Sequence, residues 1–247
     1  FKKIGKANII VVGKTGVGKS SLINAVFRGD FAKTGVGKPV TQGIQVITKK
    51  GVPLQIIDTQ GLEVKDYDTI KEEITKYVNE KNSSEDADDY VNLAWLCISS
   101  TGKRIEDGEI EIAKTFNDLN IPLICVLTKV DSFKETDFKK EVEKSIGQYC
   151  KTICLVRSIK VDVYNDDDEV IGTNKPKGID ELIEESFRYI PDSKKSAFSN
   201  ALSIKNAKSL DIKKREAEKA INLAAAAAMT AALSPIPFSD AAMIIPI

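Results

Sequence analysis

The sequence predicts an α/β protein, a mostly parallel sheet covered by helices on both faces. Three observations predict it. Short apolar runs rich in β-branched residues alternate with longer segments of helical periodicity, which is the pattern of a buried parallel sheet. The first such run, ANIIVVG (7–13), ends in a Gly-rich turn and passes straight into SSLINAVF, a strand, a turn and a helix. The 247 residues are 42% hydrophobic and 29% charged, a globular balance with room for one large domain or for one medium domain plus an appendage.

Taken in order, 7–13 is the first strand, and the helix after it begins near Ser20. IQVIT (44–48) and PLQIID (53–58) flank a turn at Lys50-Gly51 and read as a hairpin that adds an antiparallel edge strand. NLAWLCIS (92–99), PLICVLT (122–128) and TICLVRSI (152–159) complete a six-stranded sheet. Between them lie helices at EDGEIEIAKTFNDLN, with apolar residues at 110, 112, 113, 116 and 119, and at FKKEVEKSIGQY (138–149). GIDELIEESFRYI (178–190) is a helix led by glycine with early acids. KNSSEDADDY (81–90) reads as a loop, and VDVYNDDDEVIG (161–172) as a β-hairpin whose Asp-rich turn lacks the spacing of a calcium loop.

Composition excludes several chemistries. There is no histidine, which removes imidazole catalysis and His-ligated metal. Net charge is zero, so no global electrostatic case exists for nucleic acid, and none is expected as a partner. Cys97, Cys125, Cys150 and Cys154 form no CxxC pair and read as reduced, buried thiols. With no secretory leader at its start, the expected location is cytoplasmic.

The chemistry lies in three short motifs. GKTGVGKS (13–20) fits G-x-x-x-x-G-K-S at a strand end and a helix start. Gly13, Lys14, Thr15, Gly16, Val17 and Gly18 would wrap the backbone around phosphates with N–H groups inward, helped by the helix N-terminus. Lys19 would reach the β and γ oxygens and the Ser20 hydroxyl Mg²⁺, and Ser21 is counted with them among the nucleotide-binding residues. DTQG (58–61) follows a strand, so Asp58 would hold Mg²⁺ through water and the Gly61 N–H would touch the γ-phosphate. TKVD (128–131) follows another strand. There Asp131 can accept both N1–H and N2–H₂ of guanine, the Lys129 stem can lie over the base, and Thr128 sits at the base of the loop. Adenine would leave Asp131 unpaired, and a site built on such bonds rejects the wrong base by roughly 10⁴. Ser158-Ile159, after the next strand, offers a backbone N–H to the guanine carbonyl.

GKTGVGKSSLINAVF, DTQGLE and TKVD, in this order and spacing, resemble the G domain of Era-like GTPases of the translation-factor class, over about residues 5–190. The resemblance implies a three-layer P-loop NTPase fold, GTP and GDP as substrate and product, and Mg²⁺ as cofactor. It also implies a threonine closing over Mg²⁺ and the γ-phosphate. Thr41 in KPVTQGI is the best match, with Thr34 as the alternative. Catalytic roles thereby fall on Lys19, Thr41 and Gly61, and metal ligation on Ser20, Thr41 and Asp58.

The chain also departs from the family. Leu62 follows Gly61 where Ras-like relatives carry the water-orienting glutamine, and leucine cannot hold water. Gln60 lies one position early, where Era-like proteins usually carry proline. Slow intrinsic hydrolysis is expected, with help from a partner, a homodimer or another loop residue. Gly16 stands where potassium-stimulated relatives have asparagine, so no potassium requirement is expected. Lys14 reads as a solvated lysine.

The expected division is a G domain over 1–191 and a helical appendage over 192–247. Residues 192–219 carry eight basic side chains against four acids, net +4. AINLAAAAAMTAALS (220–234) is strongly helix-forming, and Pro235 and Pro237 break it. Its roughly 15 residues are short of the ~20 that span a bilayer. A helical hairpin packing on another part, on a second subunit or on an anionic membrane surface is expected, the last placing the protein peripherally at the inner membrane.

Overall fold

The structure is a computed structural model that describes residues 5–28, 31, 36–39, 44–59, 67–133, 136–166 and 168–233. Thr34, Thr41, Gln60, Gly61 and Leu62, and the tail beyond Leu233, lie outside the described residues.

The alternating pattern folds as expected. Strands β1 (Ala7–Val12), β2 (Val36–Pro39), β3 (Ile44–Lys49), β4 (Val52–Thr59), β5 (Leu93–Ser99), β6 (Leu123–Thr128) and β7 (Thr152–Leu155) form one sheet in the order β2-β3-β4-β1-β5-β6-β7. The β4, β1, β5, β6 and β7 pairings are parallel. The hairpin turns at Lys50-Gly51, where Gly51 has φ 77, and β3 runs antiparallel to β4. The sheet is one strand wider than expected. The short β2, with Val36 opposite Thr48, pairs outside β3 and takes the edge that β3 was expected to occupy. The Asp-rich hairpin forms as β8 (Val161–Tyr164) and β9 (Val170–Asn174), a separate two-stranded sheet.

The helices are α1 (Lys19–Val26), α2 (Tyr67–Asn82), α3 (Asp107–Asp118), α4 (Asp137–Ile146), α5 (Ile179–Tyr189), α6 (Asp192–Ala201) and α7 (Ala207–Leu233). Helix α2 is absent from the sequence-based expectations, although Ile70, Ile74, Tyr77 and Val78 fall at helical spacing and are buried. Sheet residues alternate between the two faces. Ile9 and Val11 point toward α1, α5 and α6; Ile10 and Val12 point toward α2, α3 and α4. This is the expected three-layer arrangement, and it leaves the carboxyl ends of the parallel strands open as a ligand crevice.

One packing feature crosses the expected boundary at residue 191. Helix α6 lays Ala197, Phe198 and Ala201 into the same core as α1, all at most 1% exposed. Phe198 meets Phe27 edge-on at 5.8 Å, and Phe27 stacks on Trp95 at 5.7 Å. Leu202 bridges Phe27, the Arg28 N–H donates to the Ala201 carbonyl at 3.0 Å, and the Ser203 N–H donates to the Val26 carbonyl at 2.8 Å. Asn206 Nδ2 donates to the Ala25 carbonyl at 2.9 Å, finishing the C-terminal end of α1. Past Ile212, α7 leaves this core and its alanine-rich turns are exposed, including Ile221, Leu223 and Met229. Among the described residues no helix is long and apolar enough to cross a membrane.

Candidate nucleotide-binding site

Strand β1 delivers the Gly-rich loop to the crevice, and α1 carries it away. Gly13 and Gly18 adopt φ 152 and 103, values that L side chains rarely adopt. A Cβ at Gly13 would also collide with the Cys97 carbonyl oxygen of β5. Gly18 caps α1 without a side-chain bond, which leaves first-turn N–H groups directed at the crevice. A cavity of about 550 Å³ results, lined by Lys14, Thr15, Gly16, Gly18, Lys19, Ser20, Ser21, Asp58, Thr59 and Lys129.

Two lysines meet this cavity in different states. Lys19 folds over the loop, and its Nζ donates to the Gly13 carbonyl at 2.5 Å and the Lys14 carbonyl at 3.2 Å. Lys14 is not simply solvated, because its ammonium is ion-paired with Glu106 at the start of α3.

Asp58 ends β4 on the opposite wall. Burial pushes its carboxyl above the ordinary carboxylate range, and Lys19 opposes this. Its Oδ1 is buried with no hydrogen-bond partner among the described residues. An orphaned carboxylate oxygen facing a cavity that also holds the Ser20 hydroxyl has the chemistry of a hard-cation ligand.

The β6 end builds a second, adjoining cavity of about 270 Å³. It is lined by Val17, Gly18, Ser21, Thr101, Thr128, Lys129, Asp131, Arg157, Ser158, Ile159 and Val161. Asp131 and the Ser158-Ile159 pair thus share one pocket, and Gly18, Ser21 and Lys129 join it to the first cavity. Lys129 takes φ 54, which turns the chain sharply beneath the pocket. Thr128 is 2% exposed, and its hydroxyl bonds the Val17 carbonyl at 2.6 Å and the Ile98 carbonyl at 3.2 Å. It therefore fastens the TKVD loop to the phosphate loop.

Sequence reasoning missed Arg157, which organises this end of the site. Its guanidinium is nearly buried, donating to the carbonyls of Val130 at 3.1 Å, Asp131 at 3.4 Å and Lys175 at 3.0 Å. It also lies 5.4 Å from the Phe133 ring centroid, with Lys177 on the same ring. One buried cation thus sets the Asp131 loop and the Ser158 loop against each other. The signal was present, since Arg157 directly precedes the serine in an otherwise apolar strand end. The four cysteines are free thiols; burial pushes Cys97, Cys150 and Cys154 up to about 12 and Cys125 well above its ordinary value, so none is poised as a nucleophile.

Comparison with known proteins covers the region that holds GKTGVGKS and Asp58. Residues 8–129 match the family model described as 50S ribosome-binding GTPase. The chain is 32% identical over 125 residues to the tRNA modification GTPase MnmE of Endomicrobium trichonymphae, covering 50% of this chain and 26% of that protein. It is 25% identical over 186 residues to the GTPase Era of Clostridium botulinum (strain Okra / Type B1), covering 74% and 55%.

This chain carries an Era-like P-loop GTPase domain.

The matched family and the Era and MnmE relatives are described as GTPases. Neuronal-specific septin-3 of Danio rerio is also similar, 27% identical over 175 residues, covering 60% of this chain and 48% of that one. The chain spans between about a quarter and just over half the length of these relatives. Among solved structures, a point variant of Aquifex aeolicus Era bound to GDP·AlF4⁻ aligns with TM-score 0.47 at 20% identity, over 76% of this chain and 58% of that one.

Proposed function

We propose that this protein is a slow GTPase whose nucleotide state is passed from the crevice to its C-terminal helices. The observation that carries this reading is the convergence of GKTGVGKS, Asp58, and the TKVD and Ser158 loops on two joined cavities, with the far end of α1 bonded to the α6–α7 junction.

In this reading the N–H groups of Gly16 to Ser21 and the Lys19 ammonium hold the phosphates, and Asp131 and the Ser158-Ile159 N–H groups hold guanine. Ser20 and Asp58, with Thr41, would hold Mg²⁺, which when bound neutralises charge between the β- and γ-phosphates. The protein's own part is to position the phosphate chain, keep water to one face, and stabilise charge on the leaving phosphate through Lys19. Leu62 supplies no hydrogen bond to the attacking water, which is why turnover is expected to be slow.

The output is proposed to be α7 and the residues after it, acting on a second subunit or an anionic membrane surface. Support comes from the exposed alanine-rich turns and the lysines that precede them. The test is phosphate release from GTP and ATP, together with flotation on vesicles of neutral or anionic lipid in GDP and in a non-hydrolysable GTP analogue. GTP-selective turnover with nucleotide-dependent flotation supports the whole reading. Equal turnover of ATP overturns the base assignment. Flotation that ignores nucleotide overturns the switch.

A further inference from the structure

We propose that Lys14 reads the γ-phosphate, and that Glu106 is the positioning residue that holds Lys14 when no γ-phosphate is present. The inference rests on the guanine-nucleotide reading of the site and adds to it how GTP is told from GDP.

Lys14 directly follows Gly13 and lines the phosphate cavity together with Asp58 and Thr59, but it does not line the base cavity. It also borders a neighbouring cavity of about 360 Å³ that contains Arg104, Glu106 and Glu109. Its side chain thus stands on the wall between the phosphate site and the start of α3, with 26% of it exposed.

Glu106 is held in place by its own helix. It is the N-cap of α3, in a reciprocal capping box with Glu109. Its own N–H donates to Glu109 Oε2 at 3.0 Å. Burial raises the Glu109 carboxyl, and the carboxylate that pairs with the Lys14 ammonium is that of Glu106. The helix cap therefore fixes Glu106 independently of the lysine it binds.

A second cation stands beside Glu106. Arg104 already lies 3.7 Å from the same Glu106 oxygen and is 77% exposed. When Lys14 leaves, Arg104 is at hand, so the carboxylate does not lose its cation. The Lys14–Glu106 pair keeps 26% and 32% of its side chains open to solvent, which screens it, whereas an ammonium on a phosphate oxygen inside a crevice makes a strong charge-assisted bond. A γ-phosphate can therefore draw Lys14 off Glu106.

The experiment is a double-mutant cycle on the full chain, measuring Kd for GDP and for a non-hydrolysable GTP analogue in Mg²⁺. Lys14→Met is expected to weaken the triphosphate about tenfold while GDP stays within about twofold. Glu106→Gln is expected to tighten the triphosphate about threefold relative to GDP, and to lose that effect when Lys14→Met is also present. Lys14→Arg, which keeps the charge, retains most of the triphosphate preference, and thermal melts check that each variant folds. Equal losses for GDP and the triphosphate in Lys14→Met would overturn the inference, as would a Glu106→Gln effect that survives in the double variant. Either of those results leaves the nucleotide site standing. Failure of the unaltered protein to bind any guanine nucleotide would overturn both.

Discussion

Lys19 donates to two carbonyls of its own loop, so nucleotide binding must exchange those acceptors for phosphate oxygens. Lys19→Ala leaves the loop backbone in place and removes its cation. GTP and GDP affinity should fall about 100-fold or more, checked by titration calorimetry. Asp131→Asn should move preference from guanine toward xanthine nucleotides, and unchanged selectivity in competition binding would count against the TKVD assignment. Asp58 gives the opposite trade. Burial raises its folded pKa, so its protonated form is the one the fold favours; that contribution is lost as pH rises through the raised value, and at neutral pH the ionised group costs stability. Asp58→Asn should raise the melting temperature of the nucleotide-free protein at pH 7 while weakening Mg²⁺-dependent GTP binding.

Elements differ in how their fate is set. The parallel strands and α1, α3, α4 and α5 were legible because each buries one face against one layer, and periodicity records that directly. Strand β2 was not legible: the four residues VGKP carry a glycine, a lysine and a proline, and their pairing is fixed by the β3 edge beside them. The motifs holding Gly13, Lys19, Asp58 and Asp131 stand out in the sequence because each is a short, local spacing, and the fold brings them to adjoining cavities. Arg157 and Glu106 do not, because each works on a loop distant in sequence. Helix α7 is stabilised in two ways along its length. Its first turns are fastened to α1 and α6, as by Lys213 Nζ on the Ser199 carbonyl at 2.5 Å, while the turns after about residue 216 stand on alanine's propensity alone among the described residues. Hydrogen exchange should therefore be slow near Ile212 and at least about 100-fold faster in residues 222–230.

At the scale of the molecule, one long-range pair ties α6 to the segment that precedes β5. Lys194 of α6, 7% exposed, bonds Asp88 at 2.6 Å, 106 residues away in sequence. The Lys194 hydrogen bond holds the Asp88 carboxyl below its ordinary 3.8, against the opposing effect of burial. A depressed folded pKa gives stability that is present above 3.8 and is lost as pH falls through the lower folded value. The stability lost in Lys194→Met should accordingly be full at pH 7 and shrink below about pH 4, as read by urea melts. Phe198 makes the same junction apolar, and Phe198→Ala should cost about 3–5 kcal/mol. A chain cut after residue 191 should melt lower than one cut after residue 216, because only the shorter one uncovers Phe27.

Trp95 is the single tryptophan in 247 residues. It is fully buried, stacked on Phe27, with its indole N–H on the Ser186 hydroxyl at 3.1 Å. Every ultraviolet photon the indole emits therefore comes from the seam where the first helix meets the last core helices. The folded protein should fluoresce at short wavelength, and a red shift will report the opening of that seam without any attached dye.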